Sequence, residues 1–202
     1  MAAAFGLVLA MAGALRAEVP DGLELREGDV VFTGSERGQG EAIIAATGSR
    51  YTHCGVVFEK DGKLMVLEAV QPVGVVTLEK FMARAEPGTL LARRLKVAVE
   101  PEKYRAAREW ADAQIGKDYD GRFLWGDEQL YCSELVWRVF KEAGVELCTP
   151  RKFRDYDLEK PAVRKIIDER FGGMEKVPLD EKVVAPSDLA VSPMLVDVHP
   201  ER

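Results

Sequence analysis

Three side chains in this sequence have the types that thiol chemistry needs: the imidazole of His53, the carboxylate of Glu68 and the thiol of Cys132. A carboxylate bound to one ring nitrogen fixes the imidazole tautomer and leaves the other nitrogen free to take a proton; a thiol beside that nitrogen becomes a nucleophile. His53 and His199 are the only histidines, and Cys54, Cys132 and Cys148 the only cysteines. There is no C-x-x-C pair, and adjacent His53 and Cys54 alternate to opposite faces of any strand, so the pattern favours neither a zinc site nor a cofactor.

The elements that must position these groups follow from local pattern. Residues 54–59 and 63–70 are strand-like runs joined by Asp61-Gly62, which supplies positive φ at both central positions of a type I′ hairpin turn. A two-residue loop makes Lys60 oppose Lys63, and the same register makes Gly55 face Glu68 and His53 face Val70. Residues 53, 55 and 57 then share a face with 66, 68 and 70, and Glu68 lies diagonally across from His53 at about 7 Å between Cβ atoms. Gly55 leaves room for that reach.

Cys132, Leu135, Val136, Val139 and Phe140 fall at i, i+3, i+4, i+7 and i+8, one apolar helix stripe, with Glu134, Arg138 and Lys141 off it and Gly144 as the stop. Cys132 is therefore expected in a first helical turn. There the helix dipole favours its thiolate, and its backbone N–H can face a developing oxyanion. Cys54, on the sheet face opposite His53, reads as a small buried hydrophobe, and Cys148 as structural. On these grounds alone a core-packing reading stays open: a Cys on an apolar stripe packs, and a strand His beside a carboxylate can be a satisfied polar pair.

The remaining pattern bounds the whole. The chain has 202 residues, 47% hydrophobic and 31% charged, which fits one globular domain. Its 28 basic and 34 acidic residues give a net charge of −6 with no basic cluster beyond pairs such as Arg93-Arg94, so no nucleic-acid partner is expected. Residues 2–15 are all small or apolar, too short for the about 20 residues that a membrane span requires. They read as an export signal over residues 1–17, ahead of a single domain over 18–202 in a periplasm or outside the cell. In an oxidising compartment three cysteines leave at least one thiol unpaired. Further expected elements are a strand at 28–32, a helix through Ala42 to Ala46 capped by Ser35 and ended by Gly48, and a short helix capped by Thr77. A strand over 90–97 and a helix from Pro101 to a stop at Gly116 follow, then a loop over 151–157, a helix over 162–171 and a strand-poor tail wrapped on the same core.

The run Ser49-Arg50-Tyr51-Thr52-His53-Cys54-Gly55-Val56-Val57, followed by Val66-Leu67-Glu68-Ala69-Val70 and by Tyr131-Cys132-Ser133-Glu134-Leu135-Val136, resembles the YiiX/YebB-like family of circularly permuted NlpC-type cysteine hydrolases. The likeness extends from Gly28-Asp29 through Gly116-Lys117-Asp118-Tyr119-Asp120 to Ser187-Asp188-Leu189. It implies an α+β, papain-like fold permuted so that the histidine-bearing antiparallel sheet precedes the cysteine helix. It also implies Cys132 as nucleophile, His53 as base and Glu68 as the orienting third residue. Tyr119 resembles a family tyrosine near the active site that binds substrate or oxyanion, with Tyr131 and Tyr51 as further candidates. Gly126 departs from the family pattern, where a small polar residue is more usual. The implied activity is thiol-dependent cleavage of an amide through a thioester, in cell-wall peptides. The alternatives are an acyltransferase or esterase acting on acyl lipids, as in related permuted folds, and a catalytically idle ligand-binding module.

Overall fold

The computed structural model describes residues 23–198; the leader expected over 1–17, and His199, lie outside them. In chain order the elements are β1 (Val30–Thr33), α1 (Gly40–Thr47), β2 (His53–Lys60), β3 (Lys63–Glu68), β4 (Gly74–Thr77), α2 (Leu78–Met82), β5 (Leu91–Leu95) and α3 (Pro101–Asp112). They continue with β6 (Asp118–Tyr119), β7 (Gln129–Leu130), α4 (Cys132–Glu142), β8 (Arg151–Lys152), α5 (Pro161–Phe171), β9 (Lys182–Val183), α6 (Pro186–Ala190) and β10 (Leu195–Asp197).

The main sheet is antiparallel with strand order β10-β5-β1-β2-β3-β4, so β2 is central and its first residue, His53, pairs with Thr33. The hairpin register is the expected one: Lys60 opposes Lys63 and Val56 opposes Leu67, with Asp61 and Gly62 at φ 53° and 71°. Period-two alternation sorts the central strands onto two apolar layers. Val30, Phe32, Cys54, Val56, Phe58 and Leu67 join the core that α3 and α4 cover, while Val31, Val57 and Val66 pack with Phe81 and Met82 of α2.

The helix stripe on α4 is buried as expected, and Thr77 caps α2 by accepting the Lys80 N–H at 3.3 Å. Gly48, in the left-handed region, ends α1. Ser35 does not cap that helix. A Cβ at Gly40 would lie 1.7 Å from the Ser35 carbonyl oxygen, so the chain folds tightly back before α1 starts, and the Ser35 hydroxyl instead donates to Glu86 at 3.1 Å. The helix begun at Pro101 ends at Asp112, and Gly116 closes the turn that follows. Glu134 is off the apolar stripe yet fully buried, because the segment before β7 folds over it. In the tail, Val184, Leu189 and Leu195 enter the main core, and Arg93 donates to the carbonyls of Ala190 and Leu195 at 2.6 and 2.9 Å. The segment expected as a loop over 151–157 contains β8, which pairs with β9.

Candidate active site

His53 sits at the mouth of the sheet, its ring 5.5 Å from that of Phe81. The diagonal spacing across β2 and β3 closes to a hydrogen bond of 2.6 Å between His53 Nε2 and Glu68 Oε2. Glu68 is fully buried, and both its oxygens accept from Arg84 Nη2 at 2.6 Å. A side chain at position 55 would collide with Val66 Cγ1 at 2.5 Å and the Leu67 oxygen at 2.8 Å, so glycine is required there by the neighbouring strand more than by Glu68.

Because α4 crosses the opposite face of β2, Cys132 in its first turn overhangs the start of the strand. There its charge bears on both His53 and Cys54. With Nε2 taken by Glu68, Nδ1 is the ring nitrogen left for the thiol. The neighbouring Cys54 thiol is the largest influence on Cys132, and together with His53 it outweighs burial and holds the Cys132 thiol well below its ordinary pKa. Cys54 itself, desolvated and beside that developing negative charge, is pushed well above the usual thiol range and so keeps its proton. Burial works against the charged form of His53, but the Cys132 charge and the Glu68 hydrogen bond prevail and raise it from 6.5 to about 9. Glu68 is likewise desolvated, yet His53 and Arg84 hold it below the usual carboxylate value. Both shifts run in the direction that favours a thiolate–imidazolium pair backed by a carboxylate.

Tyr119 reaches the same region because β6 pairs in parallel with β7, Tyr119 opposite Leu130, two residues before Cys132. Its hydroxyl accepts from Gln39 Nε2 at 2.6 Å, and Arg170 Nη2 donates to Gln39 Oε1 at 2.8 Å. Burial, then the charge at Cys132, push the Tyr119 phenol far above its ordinary pKa. Tyr131 is buried at the N-terminus of α4, its hydroxyl accepting from Val184 N–H at 3.2 Å. Tyr51 packs against Phe32, ring centroids 5.9 Å apart, and is not among the residues lining the cavity beside Cys132. That cavity, about 110 Å³, runs from Cys132 and Tyr131 between α1 and α5 and is walled by Ala42, Ile43, Phe153, Val163, Ile167 and Phe171, among others.

Four contributors escaped sequence reasoning. Arg84 follows a short helix and no local spacing aims it at Glu68. Gln39 and Arg170 meet across 131 positions of chain. Cys54 is the small buried hydrophobe expected, packed in the main core on the face opposite His53, but its thiol also bears on Cys132, which strand alternation alone does not reveal.

The fold and the geometry have counterparts. Residues 24–199 match the model of the permuted papain-like amidase enzymes YaeF/YiiX, the C92 peptidase family. The uncharacterized protein YiiX of Escherichia coli K12 is 35% identical over 175 residues, 86% of each chain. The crystal structure of metalloprotein yiiX from Escherichia coli O157:H7 superposes with a TM-score of 0.79 at 35% identity, covering 87% of this chain and 97% of that one. With a histidine strand preceding a cysteine helix and a match over most of its length, this chain belongs to the permuted papain-like amidases of the YaeF/YiiX, C92 peptidase family.

Proposed function

We propose that the protein is a cysteine hydrolase that cleaves the amide of an apolar acyl group, with Cys132 as nucleophile, His53 as acid and base and Glu68 as its orienting partner. The Cys132 thiolate attacks the carbonyl carbon, and the oxyanion meets the free N–H groups at the start of α4 and the Tyr119 hydroxyl. His53 then protonates the departing amine, leaving a thioester. A water that gives its proton to His53 hydrolyses the thioester and releases the carboxylic acid.

The single observation that carries the substrate class is the cavity beside Cys132, whose wall is aliphatic and aromatic along nearly its whole length. A cell-wall peptide, the substrate the resemblance implies, would bring polar backbone against a surface that offers it few partners, at several kcal/mol for each group left unpaired. An acyl chain loses nothing there. Each methylene buried contributes about 0.8 kcal/mol, a factor of about four in kcat/KM, until the cavity is full. On this reading the apolar leader directs the enzyme out of the cytoplasm. The solved relative is described as a metalloprotein. Among the described residues of this chain no group of three or more His, Cys, Asp or Glu is arranged to hold a metal, and both Glu68 oxygens are engaged by Arg84, so no step is assigned to one.

The test is a series of acyl anilides from acetyl to dodecanoyl, with muropeptides alongside. A kcat/KM that climbs with chain length to a plateau, and vanishes in Cys132→Ala, supports the reading. Turnover of muropeptides with no preference among acyl chains overturns the substrate class.

A further inference from the structure

Gln39 and Arg170 belong to no catalytic triad, yet they determine the polarity of a hydrogen bond at its edge. An arginine guanidinium can only donate, so the oxygen of the Gln39 amide has to face Arg170, which it does at 2.8 Å. That leaves the amide NH₂, also only a donor, for the Tyr119 hydroxyl at 2.6 Å. The Tyr119 oxygen therefore accepts, and its own proton must point elsewhere. Among the described residues no acceptor receives it.

The clamp is itself well held. Arg170 donates to the Gly121 carbonyl and lies over the Phe123 ring, 5.4 Å from its centroid, while Phe123 meets Tyr119 edge-on at 6.5 Å. The Tyr119 backbone N–H is tied to Gln71 Oε1 at 2.6 Å. Gln39 and Arg170 both line the cavity that opens at Cys132. The phenol proton is thus left without a partner among the described residues, on a hydroxyl held by a residue, Gln39, that shares the cavity wall with Cys132.

We propose that Gln39, oriented by Arg170, is a positioning residue that makes the Tyr119 hydroxyl a hydrogen-bond donor to the oxyanion formed at Cys132. The proposal rests on the reading of Cys132 as nucleophile. It ascribes to two residues far apart in sequence a role in the transition state without contact with the reacting atoms.

Reversing the polarity is the test. Gln39→Glu preserves shape and strengthens the pairing with Arg170, but its carboxylate takes the Tyr119 proton for itself. The expected result is a fall in kcat of about 10²–10³, as in Tyr119→Phe, with KM and the rate of Cys132 alkylation by iodoacetamide little changed. The double variant should be no slower than either single one. Gln39→Met, which removes the clamp without supplying a competing acceptor, should fold and lose less kcat than Gln39→Glu. A parental kcat in Gln39→Glu, or equal losses in the Met and Glu variants, overturns the inference. If Cys132→Ala abolishes turnover in the same experiment, that failure is confined to Gln39; an active Cys132→Ala would instead overturn the proposed function.

Discussion

Replacing Glu68 by glutamine probes the orienting partner through its tautomer. Arg84 presents only N–H donors to residue 68, so in Glu68→Gln the amide oxygen would stay with Arg84 and the amide NH₂ would turn toward His53 Nε2. Nε2 would then have to accept, the ring proton would move to Nδ1, and the nitrogen facing Cys132 could no longer take the thiol proton. An equivalent Asp-to-Asn change in a serine-protease triad lowers kcat by about 10⁴, or about 5.5 kcal/mol of barrier, and a loss of that order is expected here. The stability cost is far smaller. One charge-assisted hydrogen bond is worth about 2 kcal/mol, and Arg84, 44% exposed, can turn to water, so Tm should fall by about 4–8 °C. The assay pairs thermal melting with acyl-anilide turnover and iodoacetamide labelling of Cys132 across pH. A folded Glu68→Gln enzyme within tenfold of the parent rate, with an unshifted labelling profile, would refute the orienting role.

The pH dependence should be a bell. On the alkaline side kcat/KM falls through about 9 as His53 loses the proton that the leaving amine needs, and on the acid side it falls where the Cys132 thiolate is protonated, well below the ordinary thiol value. The same shift has a sign for stability. With its folded pKa above its ordinary 6.5, His53 contributes stability that is complete below about 6.5 and lost as pH rises through about 9, while the depressed Cys132 works in the opposite sense and loses its contribution as pH falls through its own folded value; melting of the parent against Cys132→Ala across pH would detect both. Cys54→Val removes the S–H donor to the thiolate and should raise the midpoint of Cys132 alkylation by about 1–2 pH units, measured by mass spectrometry; an unmoved midpoint would return Cys54 to simple packing. Dilute peroxide should convert Cys132 to a sulfenic acid that condenses with the Cys54 thiol, losing water, to a disulfide that dithiothreitol reverses; sulfinic acid at Cys132 as the sole product would count against the contact. Gly55→Ala forces a Cβ to 2.5 Å from Val66 and 2.8 Å from the Leu67 carbonyl and should cost about 2 kcal/mol, or about 4–8 °C in Tm; an unchanged Tm would show that the strands yield there.

The pairing of His53 with Glu68 was legible because a two-residue hairpin loop sets the parity of every opposed pair, and parity decides which side chains share a face. The placement of Cys132 at a helix start was legible from the spacing of its stripe. Parity placed Cys54 correctly in the core but could not show its influence on Cys132, since it describes strands in profile and says nothing of a helix end that overhangs the first residue. The burial of Glu134 was not legible for a related reason: a helical wheel separates polar from apolar, as it did here, but cannot register that residues before β7 come to lie on the polar side, where burial pushes this carboxyl up to about 8. Ser35 had the chemistry of a cap and lacked the geometry, because the turn at Gly40 intervenes. The contact between Gln39 and Arg170 depends on α1 packing against α5, a tertiary pairing that no local period encodes.

The wall of the cavity is assembled from both ends of the chain. Ala42 and Ile43 come from early residues, but Phe153, Val163, Ile167 and Val184 all follow Cys132. During N-to-C synthesis the hairpin that bears His53 emerges first, then Cys132, and only afterwards most of the cavity wall. A nascent chain halted after α4 would carry all three reactive groups and almost no means of holding a hydrocarbon beside them. On the proposed function, selectivity therefore arrives last in biosynthesis, when the final third of the polypeptide has closed beside the sulfur.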